Sequence, residues 1–144
     1  MRTKMRSLTS FGLVMWLFFL ALSSCSKDRR VQDEFLGEYN GMIGVSNPLD
    51  SASLIYEQAT LLVEKASKKQ YRVSSPTHPS VLPEALYAVE PALSSSGGLS
   101  QVAIEEAEGL AIGTLLLSQQ TDSIRAELSK GLFPHEIHFL GAKE

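Results

Sequence analysis

The sequence predicts a mostly β domain, an antiparallel meander of about eight strands that closes into a small barrel or a sandwich. Apolar and polar side chains alternate along much of residues 35–144, which is the period-two pattern of half-buried strands. Short segments rich in Gly, Pro, Ser and Asn separate the alternating stretches and fit turns between neighbouring strands. An N-terminal apolar segment is predicted to be a signal helix that is removed on maturation.

The two C-terminal strands show the alternation most clearly. In SIRAELSK (residues 123–130) and HEIHFLGA (residues 135–142), apolar side chains recur at every second position on one face. Residues 131–134 (GLFP) supply the turn between them. The apolar faces are predicted to consist of Ile124, Ala126 and Leu128 in the first strand and of Ile137 and Phe139 in the second.

The first strand is predicted over FLGEYNGMIGV (residues 35–45), and it contains several glycines. Gly37 and Gly41 share a face with the larger apolar side chains of this strand. Glycines inside a strand indicate strong coiling or the close approach of a second backbone. The larger side chains on this face are Phe35, Tyr39, Ile43 and Val45.

Five further strands are predicted over residues 54–65, 71–75, 85–90, 101–106 and 111–119. Residues 54–66 and 104–116 also fit the 3.6-residue period of a helix, so one helix among the strands stays open. Strands are favoured because ATLLVEKASKKQYRVSS (residues 59–75) has the pattern of a hairpin, in which apolar positions on one arm face those on the other.

The N-terminus has the layout of a cleavable secretory signal. Residues 1–6 (MRTKMR) are basic, and residues 11–22 (FGLVMWLFFLAL) form an apolar run. At about 1.5 Å rise per residue, this run is too short to cross a hydrocarbon core of about 30 Å. Residues 1–24 are therefore predicted to be a signal peptide.

The leader ends at the only cysteine in the chain. Leu22-Ser23-Ser24-Cys25 resembles the lipobox of bacterial lipoproteins, in which a branched aliphatic residue and two small residues precede an obligatory cysteine. The resemblance implies a diacylglycerol on the Cys25 sulfur, cleavage between Ser24 and Cys25, and acylation of the new amino group.

The charged stretch that follows is predicted to be a tether over residues 25–34, with the folded domain over residues 35–144. Loss of the leader removes three of the 13 basic residues and none of the 16 acidic ones, which leaves a net charge of −6. In some Gram-negative lipoproteins an Asp directly after the cysteine implies retention at the inner membrane. Ser26 occupies that position, so the resemblance favours the outer membrane and leaves periplasmic or surface orientation open.

The domain itself resembles the small lipocalin-like β-domains of envelope lipoproteins. The likeness is carried by FLGEYNG, by TLLVEKASKKQYRVS and by IRAELSKGLFPHEIHFLGAK. It implies a fold that can hold a small apolar ligand, for which Tyr39 and Tyr71 are the candidate contacts. Such scaffolds host many roles, so the resemblance does not by itself imply transport.

No pattern nominates a catalytic residue, a metal site or a cofactor. His135 and His138 are three residues apart, which places them on opposite faces of a strand. No serine lies in a Gly-x-Ser-x-Gly motif, and the acidic residues 105–108 lack the pattern of a calcium loop. The net charge of −6 argues against a nucleic-acid partner.

Together these patterns predict a non-enzymatic, lipid-anchored envelope protein that acts as a binding or interaction module. Its expected partners are the membrane, through Cys25, and either an envelope protein or a small apolar ligand. Two alternatives stay open: a lipocalin-like carrier of a small apolar ligand, and an envelope hydrolase built around His135 or His138 with two carboxylates.

Overall fold

A computed structural model describes residues 30–49, 52–90, 100–120, 122–132 and 135–143, which form a closed barrel of eight antiparallel strands in sequential order. The first and last strands pair from Tyr39–Lys143 to Ser46–Glu136, which closes the barrel. The predicted meander is confirmed, and of the two predicted architectures the barrel is observed. The strands are β1 Gly37–Asn47, β2 Ala52–Ser67, β3 Gln70–Ser74, β4 Ala85–Val89, β5 Ser100–Ala107, β6 Leu110–Gln119, β7 Ile124–Leu132 and β8 His135–Lys143.

Both stretches that also fitted a helix are strands. Residues 54–66 lie within β2, and residues 104–116 span the end of β5 and most of β6. Glu108 and Gly109 join those two strands with φ angles of 52° and 78°. Two consecutive residues with positive φ form the tight turn that matches the twist of a hairpin and interrupts any helix. Within the described residues, the helical structure is the single-turn 3₁₀ helix Asp33–Phe35.

The barrel interior holds one continuous apolar core, and the predicted inward faces of β1, β7 and β8 are confirmed. From Glu136 to Gly141 of β8 buried and exposed residues alternate, and in β7 Ala126 and Leu128 are buried between exposed residues. In β1 Tyr39 and Ile43 are buried and Val45 is partly buried against the core. Among the largest fully buried side chains are Tyr39, Tyr71, Tyr87, Phe35, Phe139, Ile43, Leu61, Leu115, Leu117 and Leu128. Because the barrel encloses these side chains on all sides, packing of this core stabilises the domain.

Gly41 and Gly141 mark a close approach of β1 and β8, where they are register partners. A Cβ on Gly41 would stand 2.0 Å from the carbonyl oxygen of Leu140. No side chain fits at that distance, so the strands pack there backbone against backbone. This confirms the close approach that the glycines of the first strand predicted.

The segment before β1 packs across one end of the barrel. Val31 and Phe35 are buried, the Val31 N–H donates to the carbonyl of Lys68 at 2.9 Å, and Gln101 Nε2 donates to the carbonyl of Arg30 at 2.6 Å. Residues 30–34, expected to belong to the tether, are thus part of the packed barrel. We call this end, with segment 30–36 and the β2–β3 turn, the proximal end.

The opposite, distal end carries the β3–β4 loop (residues 75–84) and the β5–β6 turn. Leu82 of this loop is buried in the core. Ser75 Oγ donates to the carbonyl of Thr60 at 2.8 Å, and the Thr60 N–H donates to Thr77 Oγ1 at 2.9 Å, so the loop is bonded to β2. Cys25 and the leader lie outside the described residues. Among the residues that are described, no helix has the length and apolarity needed to cross a membrane.

Candidate binding site

Tyr39 and Tyr71, the candidate ligand contacts, are both fully buried in the core. Their accessible surface is 0 %, so neither ring borders a space large enough for a water molecule. Tyr39 Oη donates to the carbonyl of Phe35 at 2.7 Å. Tyr71 Oη donates to the side-chain oxygen of Gln101 and accepts from the N–H of Gln32. Both hydroxyls are therefore satisfied within the protein, and neither residue lies in the groove described below.

Burial determines the ionisation of these two phenols. It raises the pKa of Tyr71 to about 12, against a smaller opposing effect of the Gln32 N–H that bonds the hydroxyl. Burial, and secondarily the neighbouring Tyr71, raises the pKa of Tyr39 above its ordinary value. Both side chains are neutral hydrogen-bond donors at neutral pH.

Gln101 connects the N-terminal segment to the barrel interior, and the sequence did not single it out. It is 1 % exposed and bonds both Tyr71 and the carbonyl of Arg30. Along β5 the inward residues are Gln101, Ala103 and Glu105, whereas the more apolar Val102 and Ile104 are only partly buried. Hydrophobicity alone would place Val102 and Ile104 on the inner face of β5. The pattern of apolar residues therefore did not indicate that Gln101 is buried.

A second polar group lies inside the barrel in its distal half. Lys130 Nζ and Glu105 Oε1 are 2.7 Å apart, and their side chains are 5 % and 12 % exposed. Lys130 lies two residues beyond Leu128, so it continues the inward face of β7. The two-residue spacing from Leu128 was the feature of the sequence that could have indicated an inward-facing lysine. A buried lysine needs a counter-charge, and Glu105 on β5 provides it.

Tyr87 completes this polar cluster of Tyr87, Glu105 and Lys130. Neither Tyr87 Oη nor Glu105 Oε2 has a hydrogen-bond partner of ordinary geometry. Both atoms point to the backbone of Gly113, where a Cβ would stand 3.1 Å from the hydroxyl and 2.9 Å from the carboxylate oxygen. Burial, and secondarily the Glu105 carboxylate, raises the pKa of Tyr87 well above its usual range.

The outer face of β6, β7 and β8 has a shallow groove of about 240 Å³ close to this cluster. Gly131 faces outward there, and no atom lies within 4 Å of the position that its Cβ would take. The groove is present because Gly131 has no side chain to fill it, and polar groups surround it. The lining residues are Ala111, Ile112, Gly113, Thr114, Ser129, Lys130, Gly131, Glu136 and His138.

Three of these polar side chains form a row with one hydrogen bond and one longer contact. Ser129 Oγ lies 2.9 Å from His138 Nδ1, and His138 Nε2 lies 3.8 Å from Glu136 Oε2. The order Ser–His–Glu is that of a nucleophile, a base and an orienting carboxylate. However, β7 is paired with β6 and with β8 around Ser129, so the backbone N–H groups there are used by the sheet. No pair of free N–H donors surrounds Ser129 to stabilise an oxyanion.

The histidines do not come together. His138 lies in the groove, His135 is exposed at the start of β8, and His78 packs against the ring of Tyr56 with centroids 5.0 Å apart. Across the described parts of the chain, no group of three or more His, Cys, Asp or Glu side chains is placed to hold a metal ion. One carboxylate, Glu136, accompanies His138 in the groove, whereas the hydrolase alternative needs two.

The architecture is that of a small lipocalin-like barrel, an eight-stranded antiparallel meander closed on itself. No family model matches the chain, and neither a curated protein nor a solved structure does. The likeness to lipocalins is therefore one of fold. Such a barrel is compatible with a binding module, and its function has to be argued from its own residues.

Proposed function

We propose that this protein is a lipid-anchored envelope lipoprotein whose barrel acts as a non-enzymatic binding module at the outer membrane. The observation that carries the proposal is the position of the only cysteine. Cys25 follows a basic and apolar leader in a lipobox-like sequence, and it precedes Arg30, the first described residue of the packed barrel, by five residues. This spacing supports a barrel held directly beside its anchor.

The anchor is sufficient in physical terms. Each buried methylene contributes about 0.8 kcal/mol, so one acyl chain holds a protein only marginally, whereas a diacylglycerol with an added N-acyl chain holds it durably. The remaining face of the protein is then free to bind a partner. The outer groove around Gly131 is the concave surface that supports this role, because it combines exposed polar groups with a partly apolar wall at Ile112.

Capture of a small apolar ligand inside the barrel receives no support from Tyr39 and Tyr71. Both rings are covered by protein atoms, and both hydroxyls are bonded. A ligand that touched them would have to displace core side chains. We therefore propose that the partner, an envelope protein or a small polar molecule, binds outside the barrel.

The alternative function is a hydrolase, since the order of Ser129, His138 and Glu136 is that of a nucleophile, a base and a carboxylate. We propose that this row is not catalytic, because Ser129 lies within a fully paired strand without free oxyanion donors. A fluorophosphonate probe, which phosphonylates activated serines with loss of fluoride, should label the wild type no more than Ser129→Ala. Labelling that disappears in Ser129→Ala would overturn the non-enzymatic assignment.

Metabolic labelling with a radioactive fatty acid tests the anchor. Cys25→Ser should abolish labelling and leave the precursor uncut, because cleavage of this class of leader requires the lipidated cysteine. Ser26→Ala, one residue further on, is the matched control and should be labelled and processed like the wild type. Full labelling of Cys25→Ser, or no labelling of the wild type, would contradict the proposal.

A further inference from the structure

We infer that the proximal end of the barrel is its membrane-facing surface and that the distal end, with the outer groove, points away from the lipid. The partner of the proximal end is a lipid surface that contains anionic headgroups. This inference rests on the proposed lipidation of Cys25. It goes beyond that proposal because an anchored protein need not have a fixed orientation.

The N-terminal segment joins the barrel at the proximal end. Arg30 is held at the proximal end by the bond from Gln101 Nε2 to its carbonyl, and Val31 is held by its bond to Lys68. The side chain of Phe35, buried completely, fixes the end of the same segment. The lipid-bearing residue is therefore connected to the proximal end and to no other part of the barrel.

The length of the chain between Cys25 and the barrel limits how the barrel can be oriented. Five residue steps separate Cys25 from Arg30, and at about 3.3–3.6 Å per step they span at most about 18 Å. Strand β1 has 11 residues, and at about 3.3 Å per residue and a usual barrel tilt it gives the barrel a height of about 25 Å. An inverted barrel would need the connection to cover that full height. The connection is too short, so the inverted orientation is excluded.

Charge is distributed unevenly between the two ends of the barrel. Most cations of the described residues lie at the proximal end, where they face a similar number of acidic groups. These cations are Arg30, Lys65, Lys68, Lys69, Arg72, Arg125 and Lys143, and Arg72 is paired with Glu84 at 3.4 Å. Because positive and negative groups at the proximal end are similar in number, an anionic membrane surface does not repel this end. The cations of the proximal end are attracted to anionic headgroups within about one Debye length.

The distal half is acidic by contrast. Among the described residues its one cation is Lys130, which is paired with Glu105 at 2.7 Å. Further carboxylates in this half lie on Glu57, Glu106, Glu108 and Glu136. An anionic membrane repels this half, which disfavours a barrel lying on its side. Reach and charge thus select the same orientation, and the groove around Gly131 is left open to the aqueous side.

Energy transfer to the membrane tests this orientation on the lipidated full-length protein. Acylation blocks the natural thiol at Cys25, so Lys68→Cys at the proximal turn and Glu106→Cys at the distal end of β5 each carry one reactive thiol. Both positions are exposed. Each variant is labelled with a donor dye and reconstituted into vesicles that contain anionic lipid and a headgroup-linked acceptor with a transfer range close to the barrel height.

Transfer from position 68 should exceed transfer from position 106 several-fold, and added salt should narrow the difference. Equal transfer from both positions, or stronger transfer from position 106, in protein whose acylation is verified by mass would overturn the orientation and leave the anchor intact. Protein that carries no acyl group and stays off the vesicles would instead overturn the proposed function, and the orientation with it.

Discussion

At the residue scale, the buried tyrosines show how burial and hydrogen bonding differ in their effect. Tyr71 and Tyr87 are both about 1 % exposed or less, but only the Tyr71 hydroxyl has a hydrogen bond of ordinary geometry. The hydroxyl of Tyr71 joins the N-terminal segment to β5 through Gln32 and Gln101. The hydroxyl of Tyr87 is desolvated beside Glu105 without a bond of ordinary geometry. A desolvated hydroxyl without a partner costs free energy, whereas a bonded one stabilises.

Removing these two hydroxyls should therefore have opposite consequences. Tyr71→Phe leaves the N–H of Gln32 and the side-chain oxygen of Gln101 without their bonds to the hydroxyl, so we expect it to lower the free energy of unfolding by about 1–3 kcal/mol. Tyr87→Phe removes an unpartnered group and should change stability little or increase it. Urea unfolding at neutral pH measures both. Equal losses in the two variants would contradict the hydrogen-bond assignments.

The same comparison extends to alkaline pH. The pKa of Tyr71 is raised from 10.0 in the unfolded chain to about 12 in the barrel, so the folded state retains its proton longer. The resulting stabilisation is complete below pH 10 and is lost as the pH rises from 10 towards 12. Tyr71→Phe should lose less stability over that window than the wild type does.

The Lys130–Glu105 pair is the second residue-scale feature with a measurable consequence. Removing one partner leaves the other charge buried and unpaired, so Lys130→Met and Glu105→Leu should each cost about 3 kcal/mol or more. The double variant Lys130→Met/Glu105→Leu should recover most of that loss. The exposed pair Lys65–Asp33, at 3.0 Å, is the matched control, and Lys65→Met should cost less than about 1 kcal/mol.

Double-mutant cycles by urea unfolding decide whether the pair is coupled. A double variant that loses the sum of the two single losses would show that Lys130 and Glu105 do not depend on each other. A loss for Lys65→Met as large as that for Lys130→Met would show that burial does not set the cost.

At the scale of the elements, the strands that the sequence predicted well are those with one apolar and one charged face. In β7 and β8 the side chains of Arg125, Glu127 and His138 are exposed, so apolar and polar residues alternate in the sequence. Strand β5 is different because its interior positions include Gln101 and Glu105. Hydrophobicity there does not indicate which face is inside, and only the partners Tyr71 and Lys130, distant in sequence, explain it.

A substitution at Gly41 tests the close approach of strands β1 and β8. Because a Cβ there would stand 2.0 Å from the carbonyl oxygen of Leu140, Gly41→Ala must push β1 and β8 apart. We expect a loss of about 2 kcal/mol or more in the free energy of unfolding. Gly44→Ala is the control on the same strand, since no atom lies within 4 Å of its Cβ position, and it should change stability by less than about 0.5 kcal/mol.

Thermal unfolding followed by circular dichroism measures both glycine variants. A Gly44→Ala loss equal to that of Gly41→Ala would mean that backbone flexibility, and not the β1–β8 contact, sets the cost. An unaffected Gly41→Ala would contradict the close approach of the two strands.

At the scale of the whole molecule, the eight strands and their order could be predicted from local patterns, but closure could not. A barrel differs from a sandwich in the pairing of β1 with β8, which joins residues about 100 positions apart, such as Tyr39 and Lys143. The outer groove could not be predicted from the sequence either, because it forms only when two strands pair. The residues that this pairing brings together are Ser129, Gly131, Glu136 and His138. The charged stretch before the domain gave no sign that Val31 enters the core.

The N-terminal segment connects these scales to the proposed function. It closes the proximal end through Phe35, bonds the interior through Gln101, and leaves five residue steps to Cys25. An anchor so close to a rigid attachment determines how far the barrel stands from the membrane and which end it presents. The lipid on Cys25 is therefore the claim on which both the location and the orientation depend.

Mass spectrometry of the N-terminal peptide of the protein recovered from cells tests that claim most directly. We expect a chain that begins at Cys25 and carries a diacylglycerol on the sulfur, with or without an acyl group on the amine. A free thiol at Cys25, or a peptide that still contains residues of the leader, would contradict it.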